Sequence, residues 1–193
     1  GLNVDFDPGP GVLNFQLAGY SDVFVQKFDD NGNLIWAQSL GGLGFDKLYS
    51  ITTDSQNNLF TLGSTRVLSN MSDIIDFDPG SGVYNLNASG TWVQKLDSIG
   101  NFKKAIVINN ISLPNIHCDF QDNIIICGNF ITTTDFDPGP GVYNLTSTTT
   151  GNNNMSVFNP FVLKLDSDLN FLWVETINSR GVKSSVVDKF GNI

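Results

Sequence analysis

A pentapeptide, Asp-Phe-Asp-Pro-Gly, occurs three times in this chain and restricts the possible folds more than any other feature. The copies begin at Asp5, Asp76 and Asp135, and each is followed by Gly-Val-Leu-Asn or Gly-Val-Tyr-Asn. After a polar stretch, each repeat continues with an apolar segment that ends in Lys-x-Asp. The aspartates of these segments lie 68 and 69 residues apart, at Asp29, Asp97 and Asp166. Self-similarity at a fixed period is typical of repeat architectures, in which one structural unit recurs along the chain.

Each repeat contains two segments that predict β-hairpins. An aspartate is followed by two variable residues, then by a residue that tolerates a left-handed backbone, then by asparagine. A three-residue loop whose last position has positive φ favours Gly, Asn or Asp there. That position holds Gly32, Gly100 and Leu169 in one hairpin of the repeat and Asn57, Asp122 and Gly191 in the other. Leu169 is the exception to the pattern.

Four short strands per repeat follow from these hairpins, and no segment predicts a helix. The segments 60–62, 93–96 and 124–127 are apolar or long-stemmed on both sides of the pleat, which favours sheets packed face to face with a neighbour on either side. A four-stranded unit repeated radially is the plan of a β-propeller, whose common repeats have roughly 40 to 50 residues. We assign the excess of about 20 residues to the inserted Asp-Phe-Asp-Pro-Gly segment, since the remainder then matches a common repeat. The predicted fold is therefore all-β.

The strand order, with its Asp-x-x-Gly-Asn turns, resembles the bacterial propeller repeats called SBBP and, more loosely, the NHL repeats. With the insert, it is most similar to repeat arrays in secreted or cell-surface proteins of Bacteroidota. The resemblance implies an extracellular or cell-surface location, often with export by type IX secretion. It also implies that the strands ending at Asp54, Asp119 and Asp188 are innermost and that Trp36 and Trp173 lie on outermost strands.

In that frame the chain is a propeller segment of four-stranded antiparallel blades, two complete and two partial. Residues 1–45 supply a partial blade with its insert, 46–110 and 111–178 are complete blades, and 179–193 begin a further one. Unpaired edges invite aggregation. We therefore expect either a segment of a longer protein, in which adjacent blades cover the ends, or partner chains that do so.

The charge balance argues against two classes of partner. The chain has 10 Lys and Arg against 19 Asp and Glu, for a net charge of −9. An acidic protein is a poor electrostatic partner for nucleic acid or anionic lipid. The longest apolar runs, such as 124–127, are far shorter than the roughly 20 residues that span a bilayer. We predict neither nucleic-acid binding nor membrane insertion.

The paired aspartates of the insert are the candidate metal ligands. Residues i and i+2 of a strand share a face, so each pair places two carboxylates side by side while the phenylalanine between them points inward. Asp-x-Asp-x-Gly matches the first half of an oxygen-ligand Ca²⁺ loop, although the late bidentate glutamate is missing. The alternative is a structural one, in which Asp-Pro-Gly simply forms a tight turn. The candidates are Asp5, Asp7, Asp76, Asp78, Asp135 and Asp137.

Catalytic groupings are scarce. The chain has a single histidine, His117, and none of the common hydrolase or metalloprotease motifs. If Gln121 is the centre of a hairpin loop, Cys118 and Cys127 point to opposite sides of the sheet, which predicts two separate buried thiols rather than a disulfide. We predict no enzymatic activity and no certain cofactor.

Aromatic residues fall into two sets at equivalent repeat positions. Phe24, Trp92 and Phe161 are predicted core residues, whereas Trp36 and Trp173 lie near the rim, where they either pack between blades or form a platform for a glycan. The segments 67–73 and 146–154 are predicted surface loops.

Together these features predict an extracellular propeller module that serves as a non-catalytic binding, adhesion or structural scaffold for a protein or glycan partner. Two alternatives remain open. One is a hydrolase or lyase on a propeller face whose catalytic residues lie partly outside this segment, and the other is a Ca²⁺-stabilised spacer.

Overall fold

The computed structural model describes residues 5–66, 68, 74–147, 158–177, 181–182 and 184–193. Most of the predicted surface loops at 67–73 and 146–154 lies outside these ranges. Every regular element described is a β-strand, and no helix there could cross a bilayer. The strands, numbered β1 to β14 in chain order, are Val23–Phe28, Leu34–Leu40, Phe45–Thr53, Leu59–Arg66, Ile74–Asp76, Asn85–Asn87, Thr91–Leu96, Phe102–Ile108, Ile111–Cys118, Ile124–Phe130, Thr134–Asp135, Asn144–Leu145, Asn159–Leu165 and Phe171–Thr176.

Two four-stranded antiparallel sheets form the centre of the structure. Their strand orders are β3-β4-β7-β8 and β9-β10-β13-β14. The pair β1-β2 supplies the equivalents of the third and fourth strands of a preceding sheet. The small hairpins β5-β6 and β11-β12 are the inserts, each placed between the second and third strands of its repeat. The predicted all-β fold of four-stranded antiparallel blades, two of them complete, is confirmed.

All six predicted hairpin turns have the same geometry. The first aspartate accepts hydrogen bonds through Oδ1 from two backbone amides of the turn, and its backbone amide donates to the closing asparagine, as at Asp54, where these distances are 2.8 to 3.1 Å. The third loop position has positive φ in every case, including Leu169 at 60°. The turn is thus built by local side-chain-to-backbone bonding, which explains why it could be predicted from the sequence.

Successive repeats stack side by side. Several of the hydrogen bonds between them join residues 62 to 73 positions apart, which is close to the repeat length. Lys27 Nζ donates to Ser98 O at 2.9 Å, and one repeat later Lys95 Nζ donates to Ser167 O at 2.6 Å. The first strands of the two complete sheets, β3 and β9, lie next to each other. These are the relations expected of neighbouring propeller blades.

Two hydrophobic cores fill the spaces between sheets. The first contains Phe60, Val93 and Ile106 from one sheet and Ile126 and Phe161 from the next. The second lies on the opposite side of the β3-β4-β7-β8 sheet. Adjacent residues of β7 therefore enter different cores, and β7 and β10 are buried along their whole length. Burial on both faces matches the apolar pattern of these strands.

One predicted core residue is not in the core. Trp92 and Phe161 are fully buried, but Phe24 is 50% exposed. Trp92 and Phe161 each pack against a glycine of the adjacent second strand, Gly63 and Gly128. Within the described residues β1 pairs only with β2, so Phe24 has no such strand beside it. The prediction was wrong at Phe24 because burial there depends on that neighbour.

Candidate functional site

The aspartate pairs of the insert are bonded to their own backbone. Asp76 Oδ1 accepts hydrogen bonds from the amides of Asp78 at 3.0 Å and Tyr84 at 2.8 Å, and Asp78 Oδ1 accepts one from Gly80 at 2.8 Å. The same three bonds recur in the other two inserts, with distances of 2.7 to 3.1 Å. The Leu13 and Asp7 amides lower the pKa of Asp5 below its ordinary value. These carboxylates brace the insert hairpin.

Two glycines enclose the second carboxylate of each pair. A Cβ on Gly82 would lie 2.1 Å from Asp78 Oδ2, and one on Gly80 would lie 3.0 Å from Asp78 Oδ1. The equivalent glycines of the other inserts show the same distances to within 0.1 Å. The Pro-Gly-x-Gly part of the motif is therefore explained by the space that the carboxylate needs.

The phenylalanine of each motif anchors the insert to the blade. Phe77 and Phe136 are fully buried, as predicted for a residue that points inward. Phe77 packs edge-on against Trp92, with ring centroids 5.7 Å apart, and its carbonyl accepts a hydrogen bond from Gln94 Nε2 at 2.8 Å. Gln26 Nε2 makes the equivalent bond to Phe6 O at 2.5 Å. The insert is thus an integral part of the packed structure.

Calcium binding by these pairs stays a prediction. In the ranges that the structure describes, no group of three His, Cys, Asp or Glu side chains is placed to hold a metal ion. One oxygen of each aspartate in the three pairs is already an acceptor for a backbone amide. A calcium ion would therefore have to be bound by the second carboxylate oxygen, Oδ2, of each aspartate.

A second candidate site is the end of the blades that carries the six Asp-x-x-x-Asn turns, which we call the turn face. Because the strands are antiparallel, the turn after the first strand and the turn after the third strand of a sheet lie at the same end. The inserts leave the sheet from the opposite end, between its second and third strands, but their hairpins lie alongside the blade, where the Tyr84 and Phe102 ring centroids are 4.8 Å apart. Neighbouring turns contact one another, since Ser55 N and Oγ donate to Asp122 at 2.8 and 2.7 Å. These contacts fix the loop tips relative to one another, and binding residues are often carried on loops held by a rigid scaffold.

The tips of the turn face differ in chemistry although their frames are the same. The two residues that follow the first aspartate differ between turns: they are Asp30 and Asn31 in the first turn and Ser55 and Gln56 in the next. Three tips present large apolar side chains to solvent: Ile99 is 68% exposed, Phe120 63% and Phe190 69%. Exposed apolar side chains that lie together are typical of an interaction surface, and Phe120 contacts Gly191 of the turn that carries Phe190.

Hydrogen bonds within the turns lower the pKa of several turn aspartates. The Asn33 side chain lowers the pKa of Asp29, and that of Asn192 lowers the pKa of Asp188. At Asp119 burial by itself raises the pKa, but hydrogen bonds from Lys164 and Asn123 outweigh it and the pKa falls below its ordinary value of 3.8.

A carboxylate whose pKa is depressed by folding stabilises the protein above its unfolded pKa, and this stabilisation is lost as the pH falls through the folded pKa. We therefore expect the urea midpoint of unfolding to be constant from pH 7 to about 5 and to fall steeply below about pH 4. Asp119→Asn should flatten this dependence relative to Asp30→Asn, the control variant at an exposed loop tip. An acid transition of equal steepness in both variants would contradict the assignment.

His117 lies beside the residues that follow the second complete blade. Its Nε2 is 3.0 Å from Ser185 Oγ, and burial lowers its pKa. This contact joins positions 68 residues apart and was not predicted from the sequence. A hydroxyl next to a neutral imidazole is the first half of a nucleophile and base arrangement. Among the described residues no carboxylate is hydrogen-bonded to His117, so the pair has no orienting group.

The two cysteines are separate, as predicted, but only Cys127 is fully buried. Cys118 lies opposite Ile124, and Cys127 is buried on the other side of the sheet. Burial, together with the charges of Asp122, Asp54 and Asp119, raises the pKa of the Cys118 thiol to about 12. A thiol with so high a pKa is a weak nucleophile.

Three buried polar side chains form a hydrogen-bonded series that the sequence did not predict. Trp92 Nε1 donates to Thr65 Oγ1 at 3.2 Å, and Thr65 Oγ1 donates to Asp46 Oδ1 at 2.5 Å. Asp46 Oδ2 also accepts a hydrogen bond from the Gly42 amide at 2.9 Å. Burial raises the pKa of Asp46. The only signal in the sequence was an aspartate at the start of a strand, where the pattern favours an exposed residue.

Trp36 packs between blades. Its indole covers Gly100, whose Cβ position lies 3.2 Å from the ring, and Nε1 donates to Ser98 O at 3.3 Å. The rim tryptophans were predicted either to pack between blades or to form a glycan platform, and Trp36 packs between blades. Trp173 is 39% exposed.

Comparison with known proteins agrees with the repeat architecture. No protein-family model matches the chain. An uncharacterized WD repeat-containing protein of Acanthamoeba polyphaga mimivirus is 30% identical to it in an alignment of length 128 that covers 59% of this chain. The matched region spans only 9% of the length of that viral protein. WD repeats form four-stranded propeller blades. The chain is therefore similar, at a distance, to a protein with propeller-type repeats, as its two complete blades also indicate.

Proposed function

We propose that this chain is a non-catalytic repeat scaffold that binds a macromolecular partner, a protein or a glycan, through its turn face. The observation that carries the proposal is the combination of six identical turn frames with six different tips. The viral relative is described as a WD repeat-containing protein, which agrees with a repeat scaffold.

The chemistry of the tips supports recognition rather than solubility alone. Ile99, Phe120 and Phe190 are exposed on turns whose backbone is fixed by aspartate bonds, so little conformational entropy would be lost when a partner binds them. Phe120 lies over Gly191 of the following turn, with a contact of 3.0 Å to its Cβ position. The polar Ser55 and Asp122 occupy the same place one repeat earlier. The surface therefore changes from polar to apolar along the repeats.

A matched pair of variants tests the surface. We expect a triple variant, Ile99→Ser, Phe120→Ser and Phe190→Ser, to lose at least about tenfold in affinity for partners found on a glycan array or by capture from the producing organism's secreted fraction, since three exposed apolar anchors are removed. Val12, Val83 and Val142 are at least 70% exposed on the inserts, outside the six turns. Their serine triple variant is the control and should bind normally. Loss of binding in the valine control alone would overturn the proposal.

We further propose that the parent protein acts outside the cell as an adhesive or structural component. Its acidic composition and its resemblance to SBBP-type repeats of exported Bacteroidota proteins, with type IX secretion as the route, support this location. Protease treatment of intact cells tests it. We expect the protein to be digested on intact cells or recovered from the medium, and complete protection inside cells would refute the location.

The competing enzymatic function would use His117 and Ser185. We expect Ser185→Ala to leave the partner affinity unchanged. We also expect the variant and the wild type to give the same result in hydrolase and lyase assays, because His117 lacks an orienting carboxylate within the described residues. A hydrolytic or lyase turnover that disappears in Ser185→Ala would replace the scaffold proposal.

Calcium as a stabilising ion needs a separate experiment. Because the Oδ1 atoms of the pairs are occupied by backbone amides, we expect a chelator to leave the melting temperature unchanged. A rise in melting temperature with added CaCl₂ that disappears in Asp76→Asn with Asp78→Asn would instead establish a calcium-stabilised spacer.

A further inference from the structure

A groove of about 380 Å³ lies between the two complete blades, on their outer side. Tyr84, Asn87 and Lys104 line it from one blade, and the segment 138–140 of the next insert and Asn170 line it from the other. Each of these blades has all four of its strands, so no absent strand accounts for the opening. Pockets for small ligands have volumes of about 300 to 1,000 Å³. We call this space the junction groove.

Two residues distinguish the junction groove from the preceding junction, between β1-β2 and the first complete sheet. There Trp36 covers Gly100, whose Cβ position lies 3.2 Å from the indole ring. Lys104 and Leu169 hold the equivalent positions at the junction groove. A lysine stem is narrower than an indole, so it covers less of the space between the insert and the turn at 166–170. The same place is thus covered in one repeat and open in the next.

Side chains on the wall of the groove retain unused hydrogen-bond donors. Lys104 Nζ donates to Asp168 O at 2.5 Å and to Asn170 Oδ1 at 3.0 Å, and an ammonium has a third N–H to donate. Asn87 Oδ1 accepts a hydrogen bond from the Ser89 amide at 3.1 Å. Among the described residues no partner is found for Asn87 Nδ2, nor a carboxylate within 4.0 Å of Lys104 Nζ. The groove therefore offers at least two donors to a ligand.

Tyr84 gives the groove a flat apolar surface. Its ring packs against Phe102, with centroids 4.8 Å apart and planes inclined at 44°, and the residue is 38% exposed. Its amide donates to Asp76 Oδ1 at 2.8 Å, and its carbonyl accepts a hydrogen bond from the Phe77 amide at 2.9 Å. A ring held in this way loses little conformational entropy when a ligand stacks on it.

The chemistry of the walls favours a neutral ligand that has both an apolar face and hydroxyl groups. Within the described part of the chain Lys104 is the only charged residue that lines the groove, and the net charge of the chain is −9, so a phosphate or nucleotide would be attracted weakly. A wholly apolar ligand would leave the Lys104 and Asn87 donors without partners, which is costly. A pyranose sugar has C–H groups on its ring face and hydroxyls at its edge, so it matches both parts of the wall.

We propose that the junction groove binds a neutral pyranose, with the C–H face of the sugar on Tyr84 and its hydroxyls bonded to Lys104 Nζ and Asn87 Nδ2. The three apolar tips of the turn face do not line the groove. This site is therefore additional to the turn face and does not depend on it.

NMR titration of the isotope-labelled chain tests the site. The probes are the methyl glycosides of glucose, galactose, mannose and N-acetylglucosamine. We expect at least one of them to bind with a Kd of about 1 mM, a value consistent with so small a ligand, and to shift the backbone amides of 84–87 and 104–107. Inorganic phosphate and methyl glucuronide are the anionic comparisons, and tighter binding of either would refute a neutral ligand. The absence of a saturable shift with all four glycosides would overturn the site.

Two tyrosine variants separate stacking from general damage to an insert. Tyr143 has the position of Tyr84 in the next insert and packs against Phe171 with centroids 4.9 Å apart, but it does not line the groove. We expect Tyr84→Ala to weaken glycoside binding about fivefold to tenfold and Tyr143→Ala to leave it unchanged, since Tyr84 alone lies where the sugar stacks. Equal weakening in the two variants would contradict the assignment.

A filled groove should bind no glycoside. The double variant Lys104→Trp with Leu169→Gly copies the Trp36 and Gly100 pair and places an indole in the space. We expect it to keep a cooperative melting transition and to lose glycoside binding. The serine triple variant of the turn face should bind glycosides like the wild type, so a failure of the turn-face proposal and a failure of this one are distinguishable. Glycoside binding that survives in the filled variant would refute the junction groove as the site.

Discussion

Replacing Phe136 with alanine should destabilise the protein by about 3 to 5 kcal/mol, which is the usual cost of truncating a buried phenylalanine. Phe136 is fully buried, and its ring lies 4.8 Å from that of Phe161 and 5.4 Å from that of Phe130. It belongs to the core between the two complete sheets, so its loss loosens both sheets as well as the insert. Domains of this size are stable by about 5 to 15 kcal/mol, so the expected loss is a large share of the total.

Urea unfolding followed by tryptophan fluorescence measures this effect. Phe6→Ala is the matched control, because Phe6 has the same position in the first repeat but is only partly buried, against Phe15 and Phe24. We expect it to cost less than half as much as Phe136→Ala. Equal and small losses in both variants would mean that the inserts are surface additions, contrary to the packing described above.

Leu169 should show an inverted order of substitution, with Leu169→Gly more stable than Leu169→Ala by about 1 kcal/mol. In strands alanine is ordinarily the better of the two. Here the residue has φ of 60°, a conformation that costs a non-glycine residue about 1 to 2 kcal/mol. Both variants also lose the buried leucine side chain, so both should lie about 2 to 5 kcal/mol below the wild type. The wild type accepts the backbone strain because the side chain fills the space between two blades.

A second-site change separates volume from strain. Adding Lys104→Trp to Leu169→Gly recreates the Trp36 and Gly100 combination, and we expect it to recover at least half of the stability lost in Leu169→Gly. Urea midpoints measured in parallel for the single and double variants provide the comparison. An alanine variant more stable than the glycine variant, with no recovery on adding tryptophan, would show that Leu169 is neither strained nor size-matched.

The features predicted correctly are those with a local cause. The Asp-x-x-x-Asn turns form from hydrogen bonds between residues two to four positions apart, so their positions and their left-handed third residues could be predicted. The two-sided apolar pattern of β7 and β10 likewise predicted sheets covered on both faces. The separation of Cys118 from Cys127 followed from the alternation of side chains in a strand.

The candidate site was only partly predictable. The aspartate pairs of the inserts were identified, but their bonds to backbone amides depend on how the hairpin closes eight residues later, at Leu13, Tyr84 and Tyr143. The contact of His117 with Ser185 joins two residues 68 positions apart in the sequence. The turn face forms because the blades lie side by side, and no local sequence pattern predicts that arrangement.

The sequence by itself determined the repeat, its two hairpins and the turn chemistry, because each of these rests on interactions within a few residues. The tertiary structure alone decided which side chains are buried and what they pair with. Phe24 and Trp92 occupy equivalent repeat positions, yet one is half exposed and the other fully buried, because burial requires a neighbouring strand. Leu169 departs from the turn pattern for the same reason. The backbone strain at Leu169 is offset by the burial of its side chain beside Lys104. Because Lys104 belongs to another blade, no local sequence pattern predicts this contact.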